Sequence, residues 1–77
     1  MAVARTYTAV IQFDAESGQY VGFIPALPGT HSCAETLDQL RDSLREAIEL
    51  MLQSLAEDGQ PPAGDIEVLV EPIELPA

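Results

Sequence analysis

The chain has 77 residues, enough for one domain, and 47% of them are hydrophobic, which excludes wholesale disorder. It carries 13 acidic residues against three basic ones (Arg5, Arg41 and Arg45), for a net charge of −10. Nucleic acid is bound through Lys and Arg that displace phosphate counterions, so direct DNA or RNA binding by this chain is not expected.

Cys33 is the only cysteine and His31 the only histidine, too few for a disulfide framework or a zinc site. A domain of this size buries roughly 60% of its unfolded surface and is marginal alone, so assembly into a homo-oligomer is expected. The N-terminal residues lack the apolar run and cleavage site of a secretory signal, and no stretch approaches a membrane span. A single free thiol suits a reducing compartment, so the expected setting is cytoplasmic, with no membrane contact. The acidic balance fits a basic protein partner, whose complementary field would steer association; solubility alone is the competing reason for it.

The first element is a strand. Tyr7, Ala9, Ile11 and Phe13 fall on one face of an alternating segment from Arg5 to Phe13, with Thr6, Thr8, Val10 and Gln12 on the other. The polar run DAESGQ then supplies a hairpin loop, with Gly18 free to take a positive φ. QYVGFI reads as the second strand, and Gly22 inside it marks a bulge or a close backbone approach.

Pro25, Pro28 and Gly29 end that strand and turn the chain, leaving room for a short third strand over about Thr30 to Ala34. Thr36 and Gln39 form a T-x-x-Q capping box at the start of a helix. Leu37, Leu40, Leu44, Ala47, Ile48, Met51 and Leu55 recur at three and four, one stripe of an amphipathic helix. Gly59 suits the helix end, and Pro61-Pro62 prevents continuation. A last strand fits Ile66 to Glu71, with Ile66, Val68 and Val70 on one face; Pro72 and Pro76 suit an edge or an arm. The order is β-β-β-α-β, a two-layer α+β domain with an antiparallel sheet and the helix across one face. Residues 1–77 make one domain, with its core at about 5–71 and a proline-containing tail at 72–77.

Two constellations carry reactive residue types. His31 and Cys33, two apart in an extended segment, point to one face, and a helix start nearby could lower a thiol pKa. A working pair also needs an orienting group and an oxyanion hole; the chain has no Asn, and a small buried Cys beside a half-exposed His is the simpler reading. Asp38, Asp42, Glu46 and Glu49 line one helix face. Metal sites draw ligands from several elements, and Arg41 and Arg45 are interleaved here, with Arg45 and Glu49 at pairing distance. A solvated face or a partner surface therefore explains the carboxylates better than a metal. No phosphate cradle or nucleophile elbow occurs, and neither an enzyme nor a cofactor is expected.

Certain residues taken in order resemble the HicB-like antitoxin domain. They are Gly18, Gln19 and Tyr20; Pro25, Leu27, Pro28 and Gly29; Glu35, Thr36 and Leu37; Glu46, Ala47 and Ile48; and Glu57, Asp58 and Gly59. The resemblance covers roughly residues 6–70. It implies a sheet similar to part of a ribonuclease H fold without the catalytic machinery, and it makes the His31–Cys33 segment a structural corner. It also implies an antitoxin that binds and masks a small basic HicA-like toxin, an RNA-cleaving protein. Asp38, Asp42, Glu46 and Glu49 are then the candidate contact surface. Two places depart from the pattern: Thr30 stands where a cysteine is usual, and Ala34 where a glycine is usual. Many members also carry a C-terminal DNA-binding module, and the sequence to Ala77 is too short for one, so autorepression through this polypeptide is not expected. The competing expectation is a solitary homo-oligomeric domain with a structural or regulatory role and no toxin.

Overall fold

Three strands and one helix follow one another in the computed structural model, which describes residues 5–61 and 64–76. They are β1 (Val10–Asp14), β2 (Gln19–Phe23), β3 (His31–Ala34) and α1 (Leu37–Glu57). Pro62, beyond the helix end, and Ala77, in the tail, lie outside the described residues. The sheet is antiparallel in the order β1-β2-β3, with Ile11 opposite Gly22 and Gly22 opposite Ser32. Alternation therefore puts Ile11, Phe13, Tyr20, Gly22 and Ala34 on the helix side, and Val21, Phe23, His31 and Cys33 on the far side.

Side-chain chemistry sets each turn. In the first hairpin the Asp14 carboxylate accepts from the Glu16 amide at 3.1 Å and from the Ser17 hydroxyl at 3.0 Å, while Gly18 takes φ 71°. The Pro-rich corner is two successive four-residue turns, closed by Leu27 N–H to Ile24 C=O and Thr30 N–H to Leu27 C=O, both 3.0 Å. Pro25 and Pro28 each hold the second position of a turn, where a fixed φ helps. Gly29 follows Pro28 at φ 89°, which identifies a type II turn. This corner folds Leu27 back under the sheet, where it is buried beside Ile24.

The helix begins where Thr36, in extended conformation, accepts the Gln39 amide on its hydroxyl at 3.1 Å. The Gln39 side chain returns no bond, so only half of the capping box forms. At the other end Gln60 N–H reaches Leu55 C=O and Gly59 N–H reaches Ala56 C=O, with Gly59 at φ 73°, a Schellman motif. The buried core is small: Ile24, Leu27, Leu40 and Leu44, flanked by half-buried Tyr7, Tyr20, Ile48, Met51 and Leu52. Gly22 lets α1 approach, because a Cβ there would stand 2.9 Å from a Leu44 methyl. The helix lies over β2 and β3 and stands off β1.

The fold is thus the expected α+β arrangement, with one correction. Residues 66–71 form no strand, and the described segment from 64 to 76 pairs with nothing in the sheet. Most of its apolar side chains face solvent, with Leu69 76% and Val70 86% exposed, while Val68 is half-buried. The root of the segment is tied to the start of the chain: Asp65 accepts from the Thr8 amide at 2.9 Å and from the Thr8 hydroxyl at 2.7 Å. The radius of gyration, 14.9 Å, accordingly exceeds the ~11.5 Å of a compact chain of this length.

Candidate functional site

The four helix carboxylates are all exposed on α1, but their electrostatics are uneven. Arg41 donates to Asp38 at 2.9 Å, and Arg45 donates to Asp42 at 3.0 Å. These are i,i+3 pairs, and Arg45 chooses Asp42 rather than the expected Glu49. Exposed pairs of this kind add little stability, yet they halve the field of the stripe. Glu46 and Glu49 carry its net negative charge. Elsewhere the acidic residues gather at the hairpin (Asp14, Glu16), the helix end (Glu57, Asp58) and the C-terminal segment (Asp65, Glu67, Glu71, Glu74).

His31 and Cys33 lie on the far face of β3, both exposed. The burial expected for Cys33 does not occur, because α1 covers only the other face and no described element packs on this one. No third side chain is hydrogen-bonded to either residue. Among the described residues no group of three or more His, Cys, Asp or Glu is placed to hold a metal ion. No described helix is long and apolar enough to cross a membrane.

Pro25, Pro28, Gly29, Thr36 and Gln39 sit at the corner and helix start described above. Thr30, next to that corner, is 4% exposed, and its hydroxyl has no hydrogen-bond partner. The corner's three backbone bonds use the Thr30 amide and carbonyl and leave the hydroxyl without a partner.

One feature was missed in the sequence: a groove of about 600 Å³ between β1 and the near flank of α1. Ala9 and Ile11 form one wall, Ile24 and Leu44 the floor, and Ile48 and Leu52 the other wall. Arg5, Arg41 and Arg45, every basic side chain in the sequence, stand around it together with Glu49. The signal was present, since Arg41, Arg45, Ile48 and Leu52 recur at four, three and four and so share one helix stripe. What the sequence did not disclose is that α1 would stand off β1 and leave that stripe open.

The architecture matches known proteins. The family described as HicB_like antitoxin of bacterial toxin-antitoxin system matches residues 7–74. The chain belongs to the HicB-like antitoxin family. A UPF0150 protein from Thermotoga maritima is 38% identical over 56 residues, covering 73% of this chain and 75% of that one. Another UPF0150 protein, from Archaeoglobus fulgidus, is 45% identical over 56 residues, covering 70% and 80%. Among solved structures, the N-terminal domain of the Burkholderia pseudomallei antitoxin HicB superposes with a TM-score of 0.61 at 30% identity. That alignment covers 83% of this chain and 69% of the other. As a HicB-like domain, the chain has an antitoxin role in general terms, and a toxin is the kind of partner that role implies.

Proposed function

We propose that this HicB-like domain binds and masks a small basic RNA-cleaving toxin of the HicA type, acting in the cytoplasm without chemistry of its own. Membership of an antitoxin family is the observation that carries the reading. A net charge of −10 supports it, because a toxin that grips RNA must present a basic surface, and an acidic protein complements such a surface. The proposed contact is the exposed stripe Asp38, Asp42, Glu46 and Glu49, with Glu46 and Glu49 dominant because Arg41 and Arg45 offset the other two. Masking of this kind needs no catalytic group.

The test is association kinetics with the basic partner at low and high salt. Reversing Glu46 and Glu49 to Lys should slow association at low salt by tenfold or more and leave the high-salt rate nearly unchanged. Rates equal to those of the parent chain at both salt concentrations would remove this helix face as the contact.

The second reading, a homo-oligomeric domain with a structural or regulatory role, is favoured by one observation. A compact monomer of 8.3 kDa exposes about 4,600 Å². This chain exposes 6202 Å², a surplus larger than the ~800 Å² each partner covers in a standard interface. Glu49 belongs to the acidic stripe and also lines the groove between β1 and α1, so self-association through that groove and toxin binding at the stripe would meet at this residue.

A further inference from the structure

The C-terminal segment and the arginine-rimmed groove are unfilled halves of one contact within the same chain. We infer that residues 66–75 of one copy lie along the free edge of β1 in a second copy, with apolar side chains in the groove, and that the exchange is reciprocal. The inference deepens the homo-oligomeric reading, and the groove it uses includes Glu49 of the acidic stripe but not Glu46.

Backbone chemistry comes first. In the order β1-β2-β3, β1 has a partner on one side only among the described residues, so its other edge presents amides and carbonyls to a further strand. Residues 66–71 have strand composition but no ladder of their own. Each is the complement the other lacks, as in strand addition to a sheet edge. Pro72 lacks an amide and limits the added ladder to the segment before it.

Side-chain pattern comes next. Ile66, Val68 and Val70 share one face of an extended segment, and all three are apolar, as are Ile11, Ile48 and Leu52 in the groove. Glu67, Glu71 and Glu74 are interleaved with them, and the groove is lined by Arg5, Arg41 and Arg45 with a single carboxylate, Glu49, although Arg41 and Arg45 also hold Asp38 and Asp42. In a chain with 13 acidic residues and three basic ones, placing every basic residue around one apolar groove makes an acidic, apolar strand the matching occupant.

The exchange, rather than folding back, follows from where the segment leaves. Its root is pinned to Thr8 of its own chain by Asp65, beside the groove's mouth, and past that point Leu69, Val70, Ile73 and Leu75 all lie in solvent. A segment that departs at the entrance of its own groove, with the groove left open, has the geometry of an element given to a twofold-related copy.

The test is sedimentation of the full chain over a concentration series, alone and as two variants. The intact chain should sediment at twice 8.3 kDa. Val70→Asp changes a side chain that is 86% exposed, so it leaves the monomer fold intact and should weaken the dimer at least tenfold. Arg41→Glu with Arg45→Glu, also at exposed positions, should weaken it similarly, and circular dichroism confirms that both variants keep the helix. An equimolar mixture of the two variants should regain a dimer, because one intact segment and one intact groove remain in the pair. A monomeric intact chain overturns the inference, since the segment then stays free or folds onto its own groove. A dimer that Val70→Asp leaves undisturbed overturns it too, because the contact then lies elsewhere.

Discussion

Gly22 is the point where the sheet admits the helix, and its substitution by alanine has a magnitude set by the structure. The added methyl would stand 2.9 Å from Leu44 Cδ1 and 3.3 Å from Leu40 Cδ2. Both leucines are fully or almost fully buried in a core of four residues, so neither methyl can swing away without opening space elsewhere. Overpacking of this kind costs about 1–3 kcal/mol. Against it stands the gain from restricting the unfolded chain, about 0.4–1 kcal/mol, which applies because φ at Gly22 is not positive. The net loss is about 1 kcal/mol, or roughly 4–8 °C in Tm for a domain of this size. Gly64→Ala is the control, because nothing lies within 4 Å of a Cβ there and its φ is ordinary. Thermal unfolding at one fixed protein concentration reads both. A Gly22→Ala variant with a Tm equal to or above that of the parent, beside a neutral or slightly stabilised Gly64→Ala, would refute the close approach.

Thr30→Val removes a buried hydroxyl that has no partner and keeps the shape, so the urea midpoint should rise by the equivalent of about 1–3 kcal/mol; no rise would mean the hydroxyl is satisfied. Thr36→Ala deletes the cap bond to the Gln39 amide and should cost about 1 kcal/mol in the same assay, with Thr36→Ser keeping most of it. The Thr8 amide and hydroxyl hold the Asp65 carboxyl below its ordinary 3.8. The tie is therefore complete above about pH 4 and is lost as pH falls through the lowered value. The Thr8 amide resonance, followed by NMR as the solution is acidified, should move with a midpoint below 3.8; a midpoint at or above it contradicts the bond.

Local chemistry made much of the fold legible. The alternation around Ile11, the prolines and glycine of the corner, Thr36 at the helix start and Gly59 at its end each act within a few residues, and a short stretch of sequence contains all the interacting parts. The fourth strand was misread for the converse reason. Ile66, Val68 and Val70 alternate as a strand should, but a strand exists only where an edge accepts it, and Asp65 holding Thr8 is a contact between residues 57 apart. Cys33 was misplaced because alternation says that His31 and Cys33 share a face without saying which face α1 covers. The acidic stripe was visible as a stripe, whereas its partial neutralisation depended on Arg45 choosing Asp42 over Glu49. The arginine groove needed the stand-off between α1 and β1, a tertiary fact.

Capture from the native cell extract, with this chain as bait and washes of rising salt, tests the proposed masking of a basic toxin most directly. The account predicts recovery of one small basic protein that is released as the salt rises, since opposite charges hold the pair. Recovery of the bait alone, or of a partner indifferent to salt, would contradict it.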